Sequence, residues 1–339
     1  MPGVEYTGRP RKKGERKVRK RRKQFLACCI LLAVLLCGCR QTEPDDTLDE
    51  TQQGTQDPTT DPDRQEPSEE DESPGSKGST YEFTDELFLY EKDFLDHVPK
   101  AAVSGVKGDN EYFQLTSIGN YAVMQGGCTD GTYMYLVLEN QTNEMDIVFK
   151  VDMSTWEVVA QSEPLALDHA NGMTYNPKLD RLIVAHNTNT PKDISFIDPN
   201  TLTITDRKTI GLSIYGIAYH EERDLYVVGI SNKRDFAILD SDFKELGYFD
   251  GHEVGLTNQS LGCDDNYIFI GNTGVTANPG VELVKIYDWS GEYKGIFRID
   301  SVSEHEAIIC NDGIYYVTFF TGNGGRVFQI DFDLDLLEP

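Results

Sequence analysis

The chain has 339 residues with 31 basic and 57 acidic side chains, a formal net charge of −26. The eleven bases among residues 9–23 stand against only Glu5 and Glu15, so everything after the N-terminal segment holds 20 bases against 55 acids, net −35. Phosphate recognition needs a basic stripe, and none exists beyond residue 39, which excludes nucleic acid as a partner.

Residues 1–38 read as an export signal. The basic stretch ends at Lys23, and Phe25–Leu36 form an unbroken apolar run, "FLACCILLAVLL". Twelve apolar residues are too short to span a bilayer, whereas basic head, short apolar core and small-residue cleavage site together describe a secretory signal. Arg21 and Arg22 lack the spacing of a twin-arginine signal, so general secretion is the expected route. Residues 39–80 contain thirteen acids, three bases and the single aliphatic residue Leu48. Such a segment cannot bury enough surface to offset chain entropy, and its like charges repel and extend it. A disordered tether is the expectation. Residues 81–110, with Phe83, Leu87, Tyr90 and Phe94 on one helical face, predict a short helix packed on the C-terminal repeats.

From residue 111 a period emerges. "VFKVDMSTW", "ISFIDPNTL", "FAILDSDF", "VKIYDWSG" and "VFQIDFDL" place Asp152, Asp198, Asp240, Asp288 and Asp331 at spacings of 46, 42, 48 and 43 residues. β-Branched or aromatic runs precede each one, separated by turns such as "TDG", "NPKLD" and "NDG". Each Asp is expected to open a turn by accepting from the backbone two residues on, a structural role, and Trp156 and Trp289 in the same turns are expected to pack. Four short strands at a period in the forties predict an all-β, five-bladed β-propeller over residues 111–339. The last repeat lacks room for its fourth strand, and "EYFQLTSI" at 111–118 is a strand without a repeat of its own. That strand is expected to complete the last blade; a solenoid, the competing arrangement, needs capping repeats.

Cys128, Cys263 and Cys310 share one repeat position at the end of first strands, without CxxC or CxxH spacing, and predict free buried thiols. First strands surround a propeller's channel. Their polar starts predict a ring at one mouth: Gln125, His169, Asn171, Tyr215, Asn258, Gln259, Glu304 and Glu306. Glu304 and Glu306, two apart on one strand, would lie on one face about 7 Å apart at Cα. Together with amide oxygens they could cage a hard divalent cation such as calcium, with His169 as a nitrogen ligand or base. Catalysis on a glycoside wants carboxylates on both sides of the bond, and first strands alone do not supply that. Binding is therefore favoured over an enzyme, and no GxSxG, HExxH or P-loop pattern is present.

Three resemblances are carried by short segments. "LLCGC" resembles a bacterial lipobox, which implies that Cys39 becomes the lipidated N-terminus and that the mature chain is extracytoplasmic, held on the cell membrane by its lipid. "QGGCTDGTY", "DHANGMTYNPK" and "IYGIAY" resemble propeller domains of secreted, cell-wall-associated proteins of Gram-positive bacteria, a resemblance limited to the five blades. A monomeric binding or scaffold module for a wall polymer, a protein or a small molecule is the expectation for the chain. "MQGG" and "NGMTY" are similar to repeats of plant-type glutaminyl cyclases, whose catalytic Glu precedes the Gly of the second-blade motif; Asn171 stands there. The enzyme alternatives are thus a metal-assisted hydrolase or lyase, or a cyclase-like transferase, acting on an envelope substrate.

Overall fold

A computed structural model describes residues 95, 97–108, 111–231, 236–251, 256–274, 282–301 and 303–337. The signal, Cys39, the acidic tether and the apolar face at 83–94 lie outside them. Two short strands come first, β1 (Ala102–Ser104) and β2 (Phe113–Thr116). Four antiparallel groups of four then succeed one another along the chain: β3 (Val123–Thr129), β4 (Tyr133–Asn140), β5 (Met145–Asp152) and β6 (Glu157–Gln161); β7 (Gly172–Asn176), β8 (Arg181–Ala185), β9 (Asp193–Ile197) and β10 (Ile204–Thr209); β11 (Ile214–His220), β12 (Leu225–Ile230), β13 (Phe236–Leu239) and β14 (Glu245–Phe249); β15 (Thr257–Cys263), β16 (Tyr267–Thr273), β17 (Glu282–Asp288) and β18 (Tyr293–Ile299). A last group has three strands, β19 (His305–Asn311), β20 (Ile314–Phe320) and β21 (Gly324–Asp331).

The fourth position of that group is taken by the start of the chain. β2 pairs antiparallel with β21, Phe113 opposite Val327 and Thr116 opposite Gly324, and β1 continues along the same edge with Ala102 opposite Asp331. The residues between them fold back on themselves, Lys107 N–H donating to Glu111 O at 2.8 Å. One parallel bridge, Gly324 to Val123, joins β21 to β3. The architecture is all-β and propeller-like: each first strand lies beside the next, β3 by β7, β7 by β11, β11 by β15, β15 by β19, and β19 by β3.

Small residues permit that approach. A Cβ on Gly172 would stand 2.6 Å from Gly216 Cα, and one on Gly262 would stand 2.5 Å from Ile308 O, so neighbouring first strands meet backbone to backbone. The apolar core lies between the sheets. Leu136, Phe149, Ile309 and Tyr316 form one such layer, and Phe269, Ile286, Val317 and Ile330 another.

The periodic aspartates behave as the turn chemistry requires at four of five positions. Asp152 accepts from Ser154 N–H at 2.8 Å, Asp198 from Asn200 N–H at 2.8 Å, Asp240 from Asp242 N–H at 2.9 Å and Asp288 from Ser290 N–H at 2.8 Å. The Ser154 hydroxyl and then its backbone N–H hold the Asp152 carboxyl below the usual range, and the backbone N–H groups of Thr201 and then Asn200 do the same for Asp198. Asp331 instead ends β21 just before a 3-10 turn at Leu334–Leu336. Trp156 packs between Phe113 and Tyr316, and Trp289 lies edge-on to His220 while its indole N–H donates to Asp264 O at 3.0 Å.

Candidate functional site

The first strands give the channel two chemically different ends. At their C-terminal ends a cavity of about 90 Å³ is lined by Cys128, Cys263 and Cys310 together with Tyr175 and Tyr219. The three thiols are free; Cys128 is buried as expected, whereas Cys263 and Cys310 are partly exposed at the cavity. Burial first, and then the neighbouring acids Asp130 for Cys128 and Asp264 for Cys263, push these thiols up, which leaves little thiolate for metal or disulfide chemistry.

At the opposite end the backbone departs from regular pairing at one repeat position. The register slips between Met124 and Gly127, between Ile214 and Gly216, between Asn258 and Ser260, and between His305 and Ala307. A bulge of this kind adds one residue and re-aims its side chain. The residues so released are Gln125, Tyr215, Gln259 and Glu306. In β7 the same place precedes the strand, where Asp168 and Ala170 adopt positive φ ahead of Asn171.

Three of the four bulge residues take part in a polar mouth. Gln125 Nε2 donates to Glu139 Oε2 at 3.3 Å, and the same oxygen is 3.1 Å from His169 Nδ1. Gln259 Nε2 donates to Glu306 Oε2 at 2.6 Å. Burial first, then the charge of Glu304, raises the Glu306 carboxyl well above the ordinary range, and Glu282 and Glu139 add to that field while the Gln259 bond opposes it. Glu304, half-buried, is raised by burial and by Glu282.

The remaining predicted residues lie in the sheets. Asn171 Nδ2 donates to Tyr215 O at 3.0 Å and to Gln259 O at 2.9 Å, clamping three first strands together. Tyr215 turns onto its own sheet, its ring filling the space a side chain on Gly229 would need. Asn258 Oδ1 accepts from Asn272 Nδ2 across β15 and β16 at 2.6 Å. Glu304 precedes β19 and Glu306 sits at a bulge, so the regular two-residue spacing expected of them does not hold. Among the described residues no three His, Cys, Asp or Glu side chains converge as a metal site.

Sequence reasoning restricted to first strands missed the acids that come from second and third strands. Glu139 near the end of β4 and Asp146 near the start of β5 face each other directly, both buried. Glu282 opens β17, buried, and is bonded to His305. The available signal was an acid closing or opening an otherwise apolar run, as in "MYLVLEN" and "VELVKIY".

Asp146 supplies a pH prediction. Burial, then the Glu139 charge, push its carboxyl up to about 9, although Oδ2 accepts from Leu167 N–H at 3.2 Å. A carboxyl whose folded value lies above its unfolded value of about 4 is neutral in the fold and ionised in the unfolded chain between the two, so folding stability declines as pH rises through that window. Asp146→Asn keeps the shape and an acceptor for Leu167. Its melting temperature is expected to fall less than that of the wild type between pH 5 and pH 9; parallel curves would show that Asp146 does not carry the dependence.

The fold and the mouth together define a propeller-like all-β protein with a cluster of acids and amides at one end of its first strands. No protein-family model matches the chain, and no curated protein does. Solved structures with a similar course include the glutaminyl cyclase of Myxococcus xanthus (14% identity, 72% of this chain and 97% of that one, TM-score 0.49). Others are Kuenenia stuttgartiensis hydrazine synthase (15%, 60% and 57%, TM-score 0.39) and the Cps50 (Swd1) β-propeller domain of Myceliophteria thermophila (8%, 68% and 99%, TM-score 0.39). Identities this low speak to fold alone, and with TM-scores under 0.5 the propeller-like description rests on this chain's own strand pairing.

Proposed function

We propose that the chain is a surface lipoprotein whose propeller, five blades closed by β2, binds an envelope ligand at the acidic mouth. Residues 1–38 direct export, Cys39 carries the lipid, and residues 39–80 hold the propeller off the membrane. The observation that carries the binding reading is the nearness of Glu139, Glu304 and Glu306 to one another and to the amides of Gln125 and Gln259, acids from the first and last groups of strands. Buried acids with few cations near them favour a guest that brings ammonium or N–H donors.

Two measurements test this. Fatty-acid labelling of cells should mark the wild type and not Cys39→Ala; equal labelling removes the anchor. A chain beginning at Tyr81 should rise in melting temperature with glucosamine oligomers and less with their N-acetylated forms, by mass action on the folded state. The response should vanish in Glu139→Gln, Glu306→Gln. If wild type and variant respond alike, the mouth is a hydrated lip. Calcium forms a second arm: a rise that depends on Glu304 and Glu306 would make the mouth a cation site.

The enzyme reading has one observation in its favour. Glu306, whose carboxyl burial raises, and Glu139, bonded by His169, come from the last and the first groups of strands, a separated pair of carboxyls that first strands alone could not supply.

A further inference from the structure

Between the sheet of β15–β18 and that of β19–β21, Glu282, whose charge also reaches Glu304 and Glu306 at the mouth, stands in line with His305 and Ser260. Glu282 is fully buried; Oε1 accepts from Thr273 Oγ1 at 2.8 Å, and Oε2 is bonded to His305 Nδ1. His305 is fully buried as well. In its neutral form with Nδ1–H given to the carboxylate, the imidazole carries a lone pair on Nε2, and among the described residues that atom has no hydrogen-bond partner. Ser260 Oγ, also buried, has none either.

The two orphans are neighbours. Ser260 lies opposite Gly271 in the β15–β16 pairing, and a Cβ on Gly271 would overlap both Ser260 Oγ and His305 Nε2. Buried polar atoms are nearly always paired, so an unpaired hydroxyl beside an unpaired imidazole lone pair, on a ring already oriented by a carboxylate, needs an explanation. Hydroxyl, imidazole and carboxylate in this sequence are a nucleophile, its base and the group that orients the base, and the nucleophile–base bond is commonly long in the absence of substrate.

We propose that Ser260 is an acyl-accepting nucleophile toward an ester group presented at the mouth, with His305 as its base and Glu282 as the orienting residue. Ser260 Oγ forms a bond to the carbonyl carbon as its proton passes to His305 Nε2; the bond from that carbon to the leaving alcohol breaks, and the alcohol departs with the proton. Water then repeats the sequence on the acyl-serine, releasing the acid and restoring the hydroxyl. Ser260 is 2% exposed, so acylation requires a local opening between β15 and β19 that admits the ester. This activity is independent of the amine preference proposed for the mouth, since a serine adduct can form whether or not an amine binds.

The test uses the mature chain with two serine-directed electrophiles, phenylmethylsulfonyl fluoride and a fluorophosphonate, read by intact mass and peptide mapping. One adduct is expected, at Ser260, absent from Ser260→Ala and formed at least tenfold more slowly in Glu282→Gln. Short-chain p-nitrophenyl ester hydrolysis should drop to the background rate in Ser260→Ala, whose melting temperature should stay near that of the wild type because alanine fits the same space. The mapping needs only the wild type, so a poorly folded variant does not blur the result. Absence of an adduct at Ser260, or identical adducts on wild type and Ser260→Ala, overturns the proposal.

Discussion

A chain that begins at Tyr121 is expected to melt far below one that begins at Tyr81, or not to fold. The shorter chain lacks β2, whose Phe113 and Leu115 are buried against the layer that also holds Met124, Trp156 and Val327. Truncating a buried Phe costs about 3–5 kcal/mol and a buried Leu about 2–5 kcal/mol. A native protein has only about 5–15 kcal/mol in total. The loss also strips hydrogen bonds from β21, including Gln114 Nε2 to Gly325 O at 3.1 Å and Arg326 Nε to Gln114 Oε1 at 3.0 Å, and leaves an open apolar edge prone to pairing with other chains. Thermal melts of the two chains decide the matter, and equal midpoints would mean that the proposed ring is not held shut by its first strands.

The second large effect is expected at Glu282. Replacing it by Ala removes the carboxylate that holds His305 Nδ1 in a fully buried place and leaves the imidazole donor without that acceptor. Breaking a buried pair of this type costs about 3–5 kcal/mol, mostly through the desolvated group left behind. Glu282→Gln retains an acceptor and should cost less. In a double change, Glu282→Leu with His305→Leu, part of the loss should return, because no charged pair partner is then orphaned. Urea unfolding of the three variants measures this; a loss under about 1 kcal/mol in Glu282→Ala would show that water reaches the imidazole.

Much of the fold is legible in the sequence because its marks recur. Asp152, Asp198, Asp240 and Asp288 each end a third strand and each cap the next turn, so one local rule read four times reveals the unit. The mouth is legible only in part. Gln125, Gln259 and Glu306 owe their direction to a slip in register, and neighbouring strands set that slip jointly, a property that no single segment displays. The same slip at Tyr215 sends a ring over Gly229 rather than into the channel, since a glycine there leaves room for it. Glu139 and Glu282 lie in strands whose apolar pattern reads as core, and only the turn of the sheet brings their ends to the mouth. The thiols kept their predicted place because Cys128, Cys263 and Cys310 sit beyond the bulges, where pairing is regular again.

The attachment of β1 and β2 along the edge of β21 has a mechanical side. A pull from the N-terminal side is met first where Pro99 O accepts from Arg298 N–H at 2.8 Å and Ala101 N–H donates to Arg298 O at 2.9 Å, and next at that seam. The load falls on bonds that join residues more than two hundred positions apart, such as the one spanning 211 residues between Gln114 and Gly325, rather than on any hairpin. The bond from Lys107 N–H to Glu111 O would give way before β2 is loaded. Tension would thus act on the strand that secures the last sheet to the first, and a stretched tether would report on the state of the whole ring.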